Sequence, residues 1–166
     1  PDADEFDDLD ADGFELVGGP GVYNSDAIGF GPWDLYAASA WGTGKSQQNA
    51  AEVRALLKRK PRAVVVIVSS RKSLSAQLAA DIGAVSYDRI RGNLDAKKHP
   101  ITVWQVDSLA RIGPDVAPDL VIIDELSQLT AHAWQNSNGG GNKAAAGVSS
   151  LRALVERADR IIVSDN

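Results

Sequence analysis

The 166-residue sequence contains neither cysteine nor methionine, which excludes a disulfide framework and any thiolate metal site. The missing Met, and a closing IIVSDN that follows directly on an apolar run, lead us to expect a segment of a longer polypeptide. No apolar run approaches the ~20 residues of a membrane-spanning helix. The acidic opening is also the reverse of a signal peptide's basic start, and the sequence leaves targeting open. Bases are absent from residues 1–15, where Asp2, Asp4, Glu5, Asp7, Asp8, Asp10, Asp12 and Glu15 stand together. With these eight acids set aside, the net charge of −5 becomes +3 for the remainder. Residues 1–30 are read as a solvated, disordered linker. Mimicry of nucleic acid or contact with a partner is the alternative reading. There is no internal repeat and no G-x-S-x-G elbow of a serine hydrolase. His99 and His132 stand far apart with no Cys between them, which speaks against a zinc site.

What is present suits one compact domain over residues 31–166. Hydrophobic residues make up 44% of the chain, enough for a sizeable core. Five β-prone runs, DLYAAS (34–39), AVVVIVS (63–69), ITVWQV (101–106), DLVIID (119–124) and RIIVSD (160–165), carry apolar residues on both faces. Such runs fit strands buried between two helix layers. Helix-period stretches are predicted at 45–59, 71–82, 126–135 and 148–158, so the order reads as a parallel sheet with helices on both faces. Pro61, Gly83, Gly92, Pro100, Gly113 and Pro118 punctuate the joints. NSNGGGNKAAAG (136–147) is expected to be irregular, because so many glycines make a fixed conformation costly. Trp33, Trp104 and Trp134 are expected to be packing residues.

SAWGTGKS (39–46) stands between the first strand and the first helix. A phosphate cradle there needs glycines that let backbone N–H groups turn inward, the positive end of a helix, a lysine, and a hydroxyl for Mg²⁺. Gly42 and Gly44 supply the curl, Thr43 stands between them, Lys45 brings the cation and Ser46 the hydroxyl, with Ser39 at the first position of the loop. The bland alternative is a strand-to-helix turn. The second motif is DLVIIDELSQL, an apolar strand ending in two acids. Such a strand presents Asp124 at the carboxyl edge of the sheet, where open α/β sheets bind ligands. Asp124 can hold Mg²⁺, directly or through water, and Glu125 can polarise an attacking water. Read blandly, the pair is an acidic first turn of a helix. Arg71 and Lys72 open a helix after IVSS, where cations and N–H groups converge on an anion such as a backbone phosphate; a Ser-capped helix start explains them equally well. Arg54, Lys58, Arg59, Lys60 and Arg62 are read as the solvated face and end of the first helix.

Taken in order, GTGKS, VIVSSRKSLSAQLA, ITVWQVDSLARI, DLVIIDELSQL and RIIVSDN resemble motifs I, Ia, Ib, II and III of superfamily 2 helicases. The wording of SSRKSLSAQLA, QVDSLARI and the closing SDN is similar to the herpesvirus-type replication origin-binding helicases. The likeness covers about residues 35–166. Ser39 stands where the strict phosphate-loop pattern has glycine, Ala40-Trp41 where the family more usually has Pro-Met, and Ser46 where Thr is commoner. None of these departures removes a group that phosphate binding requires.

The resemblance implies an α/β, P-loop NTPase fold: a RecA-like parallel sheet with helices on both faces, cut to the first of two such domains. It implies ATP and Mg²⁺ as cofactors, Lys45, Asp124 and Glu125 as catalytic residues, and Ser70, Arg71 and Ser108 along a nucleic-acid strand. Ser164 and Asp165 would couple hydrolysis to strand binding. The implied partners are single-stranded DNA, with RNA open, and a second RecA-like domain that supplies an arginine finger. The implied setting is intracellular, in a nucleus or a viral replication compartment, with action at replication origins. Because an arginine finger is worth ~10³ to 10⁵ in rate, this segment alone is expected to bind nucleotide with little turnover. A small-molecule P-loop kinase and a non-hydrolysing nucleotide-dependent interaction module are the rival readings. The absence of an Arg-rich lid counts against the first, and the presence of Lys45, Ser46, Asp124 and Glu125 against the second.

Overall fold

Strand-forming Val and Ile runs that are apolar on both faces need cover on both sides, and the structure supplies it. The computed structural model describes residues 22–24, 35–38, 45–69, 79–80, 82–126, 128–129 and 142–165. Along the chain these form β1 (Val22–Asn24), β2 (Leu35–Ala38), α1 (Lys45–Arg59), β3 (Val65–Ser69), β4 (Val85–Ser86), β5 (Ile101–Trp104), β6 (Leu120–Asp124), α2 (Asn142–Val155) and β7 (Ile161–Asp165). Short 3₁₀ turns cover Tyr87–Arg89 and Val106–Arg111. The strands make one seven-stranded sheet in the order β1-β2-β7-β6-β3-β5-β4. Every pairing is parallel except that of β1 with β2.

The α/β fold with a parallel sheet is therefore as the sequence indicates. Alternation along the strands divides the core into two layers. Val65, Ile67, Leu120, Ile122 and Ile162 face one way and pack with Val53 of α1. Val66, Val68, Val121, Ile123, Ile161 and Val163 face the other way and pack with Leu154 of α2. Thus α1 and α2 cover opposite faces. Connections leaving β3 run toward the β4 edge and those leaving β6 toward the β2 edge, so the sheet carries a topological switch point between these two neighbours.

The helix α1 has the predicted bounds, 45–59. Asn49, Ala50 and Val53 form its buried stripe, while Gln47, Gln48, Ala51 and Arg54 face outward. Lys58 and Arg59 in its last turn oppose the negative end of the dipole, and Pro61 prevents continuation. Arg54, Lys58, Arg59, Lys60 and Arg62 are all exposed.

Several boundaries differ from expectation. The strand predicted over 101–106 ends at Trp104, and the chain turns into the 3₁₀ segment Val106–Arg111. The two-residue β4 is too short to show alternation in the sequence. The strand Val22–Asn24 falls within the stretch read as linker, pairing antiparallel with Leu35–Ala37 through the register Val22↔Ala37 and Asn24↔Leu35. The last helix begins at Asn142, so residues 142–147, expected to be irregular, are helical, and it ends at Val155 instead of residue 158. Within that segment the run Ala144-Ala145-Ala146 consists of the residue with the best intrinsic helix propensity. Gly147 is required there by packing, since a Cβ on it would lie 2.7 Å from the Val106 carbonyl oxygen. Of the predicted helix 71–82, residues 71–78 lie outside the described residues and 79, 80 and 82 are helical. Of 126–135, residues 126, 128 and 129 are helical and the rest lie outside.

Trp104 is a packing residue, as expected: it is fully buried, and its indole N–H donates to Thr102 Oγ1 at 2.8 Å. The Arg111 guanidinium lies 5.3 Å from its ring centre. That guanidinium also donates to the carbonyls of Gly92 (2.8 Å), Ile90 and Tyr87 (3.4 Å), tying the 3₁₀ segment to the chain before β5. Trp33 and Trp134 lie outside the described residues. Among the described residues no helix is long and apolar enough to cross a membrane.

Candidate functional site

Parallel strands all end at one edge, so side chains at their last positions meet there whatever their distance in sequence. Ser69 ends β3, Asp124 ends β6, and the two are register partners. Asp124 is in turn paired with Ser164 of β7, and Ser164 with Ala37 of β2. Counting by twos from Ile67, Ile122 and Ile162 puts Ser69, Asp124 and Ser164 on the face that α1 covers. All three are buried, with Asp124 only 5% exposed. An otherwise apolar face therefore finishes in a row of three polar side chains.

Glu125 follows directly and is also buried. Its φ is +58°, and among the described residues it is the one non-glycine in the left-handed region. A side chain there costs on the order of 1–2 kcal/mol, so the surroundings must hold it. They do so by backbone bonds: Glu125 N–H donates to the Ser164 carbonyl at 2.8 Å, and the Glu125 carbonyl accepts from Gln128 and Leu129 N–H, each at 3.1 Å. The bend turns the chain from strand to helix in a single residue. Both acidic residues are thus buried at the sheet edge, directly before the helical residue Leu126.

Asn49, one turn into α1, reaches the same row. Its Nδ2 donates to Ser164 Oγ at 3.0 Å, and the Ser164 hydroxyl lies 3.3 Å from Asn49 Oδ1. Sequence reasoning missed both Asn49 and Ser69. The signals were present: Asn49 interrupts the apolar stripe of α1, and Ser69 continues the alternation of Val65 and Ile67.

Of the predicted cradle, Lys45 and Ser46 form the first two residues of α1. Ser39, Gly42, Thr43 and Gly44 lie outside the described residues. The strand that leads into the loop, β2, is separated from β6 by β7 alone. At the usual spacing of ~4.8 Å per strand, the end of β2 and Asp124 are roughly 10 Å apart. Asp165 pairs with Ala38 at the end of β2, so the last strand touches the lead-in to the loop directly. Ser108 sits at the same sheet edge, half-buried in the 3₁₀ segment after β5, with its N–H donating to the Gln105 carbonyl at 2.9 Å. Ser70 and Arg71 follow Ser69 and lie outside the described residues.

The oxygen donors Asp124, Glu125 and Ser46 suit a hard cation such as Mg²⁺, which is commonly held by one or two carboxylates together with phosphates. The switch point between β3 and β6 is where an open α/β sheet leaves a crevice for a ligand.

No family model and no curated protein matches the chain. Among solved structures it is similar to the helicase domain of Hef from Pyrococcus furiosus, at 12% identity and a TM-score of 0.43. That likeness covers 72% of this chain and 24% of the other, so the chain spans about a quarter of the length of the protein it matches.

Proposed function

We propose that the chain is the ATP-binding motor domain of an ATP-dependent DNA helicase or translocase, a RecA-like P-loop domain that works with a second one. The observation that carries this reading is the buried row Ser69, Asp124 and Ser164 with Glu125 bent at its end, beside the strand that leads into SAWGTGKS. A magnesium-bound triphosphate supplies the bond to be hydrolysed and the cation that neutralises its oxygens. Lys45 and Ser46, at the positive end of α1, would hold the phosphates and the cation. Asp124 would hold the cation, and the Glu125 carboxylate would take a proton from the attacking water. Burial of Asp124 and Glu125 would strengthen their interactions by excluding competing solvent.

Ser108 follows the end of β5, on the edge that carries Asp124, and Ser70 and Arg71 come directly after Ser69 in the sequence. A strand of nucleic acid lying along that edge would therefore pass close to the nucleotide. Ser164 and Asp165, on β7 between β2 and β6, would couple the two sites. Action at replication origins rests on the wording of the motifs.

Titration of the chain with Mg-ATP tests the reading. Lys45→Ala is expected to weaken binding at least tenfold, about 1.4 kcal/mol. Equal affinity in the two proteins would refute the phosphate cradle.

A further inference from the structure

Among the described residues, Asn49 is the one polar side chain of α1 that is fully enclosed, at 4% exposure, and its partner Ser164 is at 0%. Stability does not require such a pair. Val53 is the next buried residue along the same stripe, and Ile162 precedes Ser164 on the same strand face. An apolar pair of similar volume would continue this layer at little or no cost in stability. The pair meets side chain to side chain: the carboxamide donates to Ser164 Oγ at 3.0 Å, and the same hydroxyl lies 3.3 Å from the carboxamide oxygen. A hydrogen bond prefers an angle as well as a distance, so it defines an orientation, which apolar contact does not.

Ser164 joins the other half of the site through its backbone. It is in register with Asp124, and its carbonyl accepts the Glu125 N–H at 2.8 Å. Asn49 lies four residues after Lys45, ~6 Å along the helix axis. One serine thus ties the helix that opens with Lys45 and Ser46 to the strand end that carries Asp124 and Glu125.

We infer that Asn49 is a positioning residue of the nucleotide site: through Ser164 it sets the spacing between the helix that follows the phosphate loop and the acidic pair. This deepens the nucleotide reading above and rests on it. Phosphate binding by the loop uses groups of one element, whereas the magnesium increment needs Ser46 and Asp124 at a fixed separation. Loosening the Asn49 tie therefore affects binding of the magnesium complex and leaves metal-free nucleotide binding alone.

The test uses the 166-residue chain, ATPγS as probe, calorimetric titration with Mg²⁺ or with EDTA, and thermal unfolding without nucleotide. Asn49→Ala is expected to lower the unfolding midpoint, because it strands a buried hydroxyl, and to weaken Mg-ATPγS binding about tenfold while the EDTA affinity stays within twofold. The double variant Asn49→Leu, Ser164→Ala removes both polar partners; its midpoint is expected to return to the wild-type value while the tenfold loss with Mg²⁺ persists. Recovery of the magnesium increment together with stability would reduce the pair to packing and overturn the inference. Should the double variant fail to fold, Ser164→Thr, which keeps the hydroxyl, is expected to retain the magnesium increment that Ser164→Ala loses; equal increments would overturn it as well. Lys45→Ala distinguishes the two levels. If it weakens binding while Asn49→Ala does not, the positioning role alone is wrong; if neither does, the nucleotide reading fails and this inference with it.

Discussion

At the amino edge of the sheet, polar groups close the fold against solvent. Asp119, just before β6, accepts the Val64 N–H at 2.7 Å and pairs with the exposed ammonium of Lys60. Its own N–H returns to the Val64 carbonyl at 2.8 Å, and Arg160 pairs with Glu52 of α1 at 2.8 Å with both side chains about one-third exposed. At the carboxyl edge of the same strands, Ser69, Asp124, Glu125 and Ser164 are buried instead, and Glu125 holds a backbone conformation that costs free energy. The first edge shows what a sheet end needs for stability: bonds to backbone groups and charges paired with partners that keep contact with water. The second departs from that minimum, and strained or buried polar groups of this kind cluster at functional sites, which is the reading proposed above.

Substitutions can test this contrast. The largest effect is expected from Glu125→Gln, assayed in a longer polypeptide that adds the second RecA-like domain proposed above. Loss of the proton acceptor should reduce turnover by at least ~100-fold with ATP binding retained. Hydrolysis at the wild-type rate would move the catalytic role to another residue. At the opposite edge, Asp119→Ala strands the Val64 N–H and removes the partner of Lys60. It is expected to cost roughly 1–3 kcal/mol in chemical denaturation, while Mg-ATP affinity stays the same. A change in that affinity would break the division of labour between the edges.

A smaller effect with the opposite sign is expected from Glu125→Gly. Glycine adopts φ near +58° without a Cβ penalty, so stability should rise by about 1 kcal/mol, while turnover in the longer polypeptide disappears. A fall in stability would mean that contacts of the Glu125 side chain outweigh the strain. The smallest effect concerns Lys60. Its hydrogen bond to Asp119, and then the charge of Asp119, hold its pKa above the ordinary 10.5. The ammonium is therefore favoured in the folded state. Its contribution is complete below pH 10.5 and fades as pH rises through the higher folded value. The stability difference between wild type and Lys60→Gln should accordingly shrink in that alkaline range; a constant difference would deny the charged pair any role.

Much of this edge was legible beforehand. Asp124 and Glu125 stand out because two acids end an apolar strand, and the bounds of α1 follow from its stripe and from Pro61. Residues 142–147 were not, because composition weighed the glycines and passed over the Ala144-Ala145-Ala146 run and the close approach of Gly147 to Val106. Local propensity says what a segment tolerates, and packing against a distant segment selects among the tolerated states.

The sequence by itself determined the α/β class, because runs apolar on both faces that alternate with period-3.6 stripes can bury those faces only as a sheet between helices. It also determined the chemistry within reach, since Lys45, Ser46, Asp124 and Glu125 carry it in their side chains. Only the tertiary structure decided which strands are neighbours. Placing β7 between β2 and β6 brings Ser164 beside Asp124 and under Asn49, 115 residues away in the chain. Nothing local to either residue specifies that meeting. It is produced by the shared register of parallel strands, whose last residues reach one edge together.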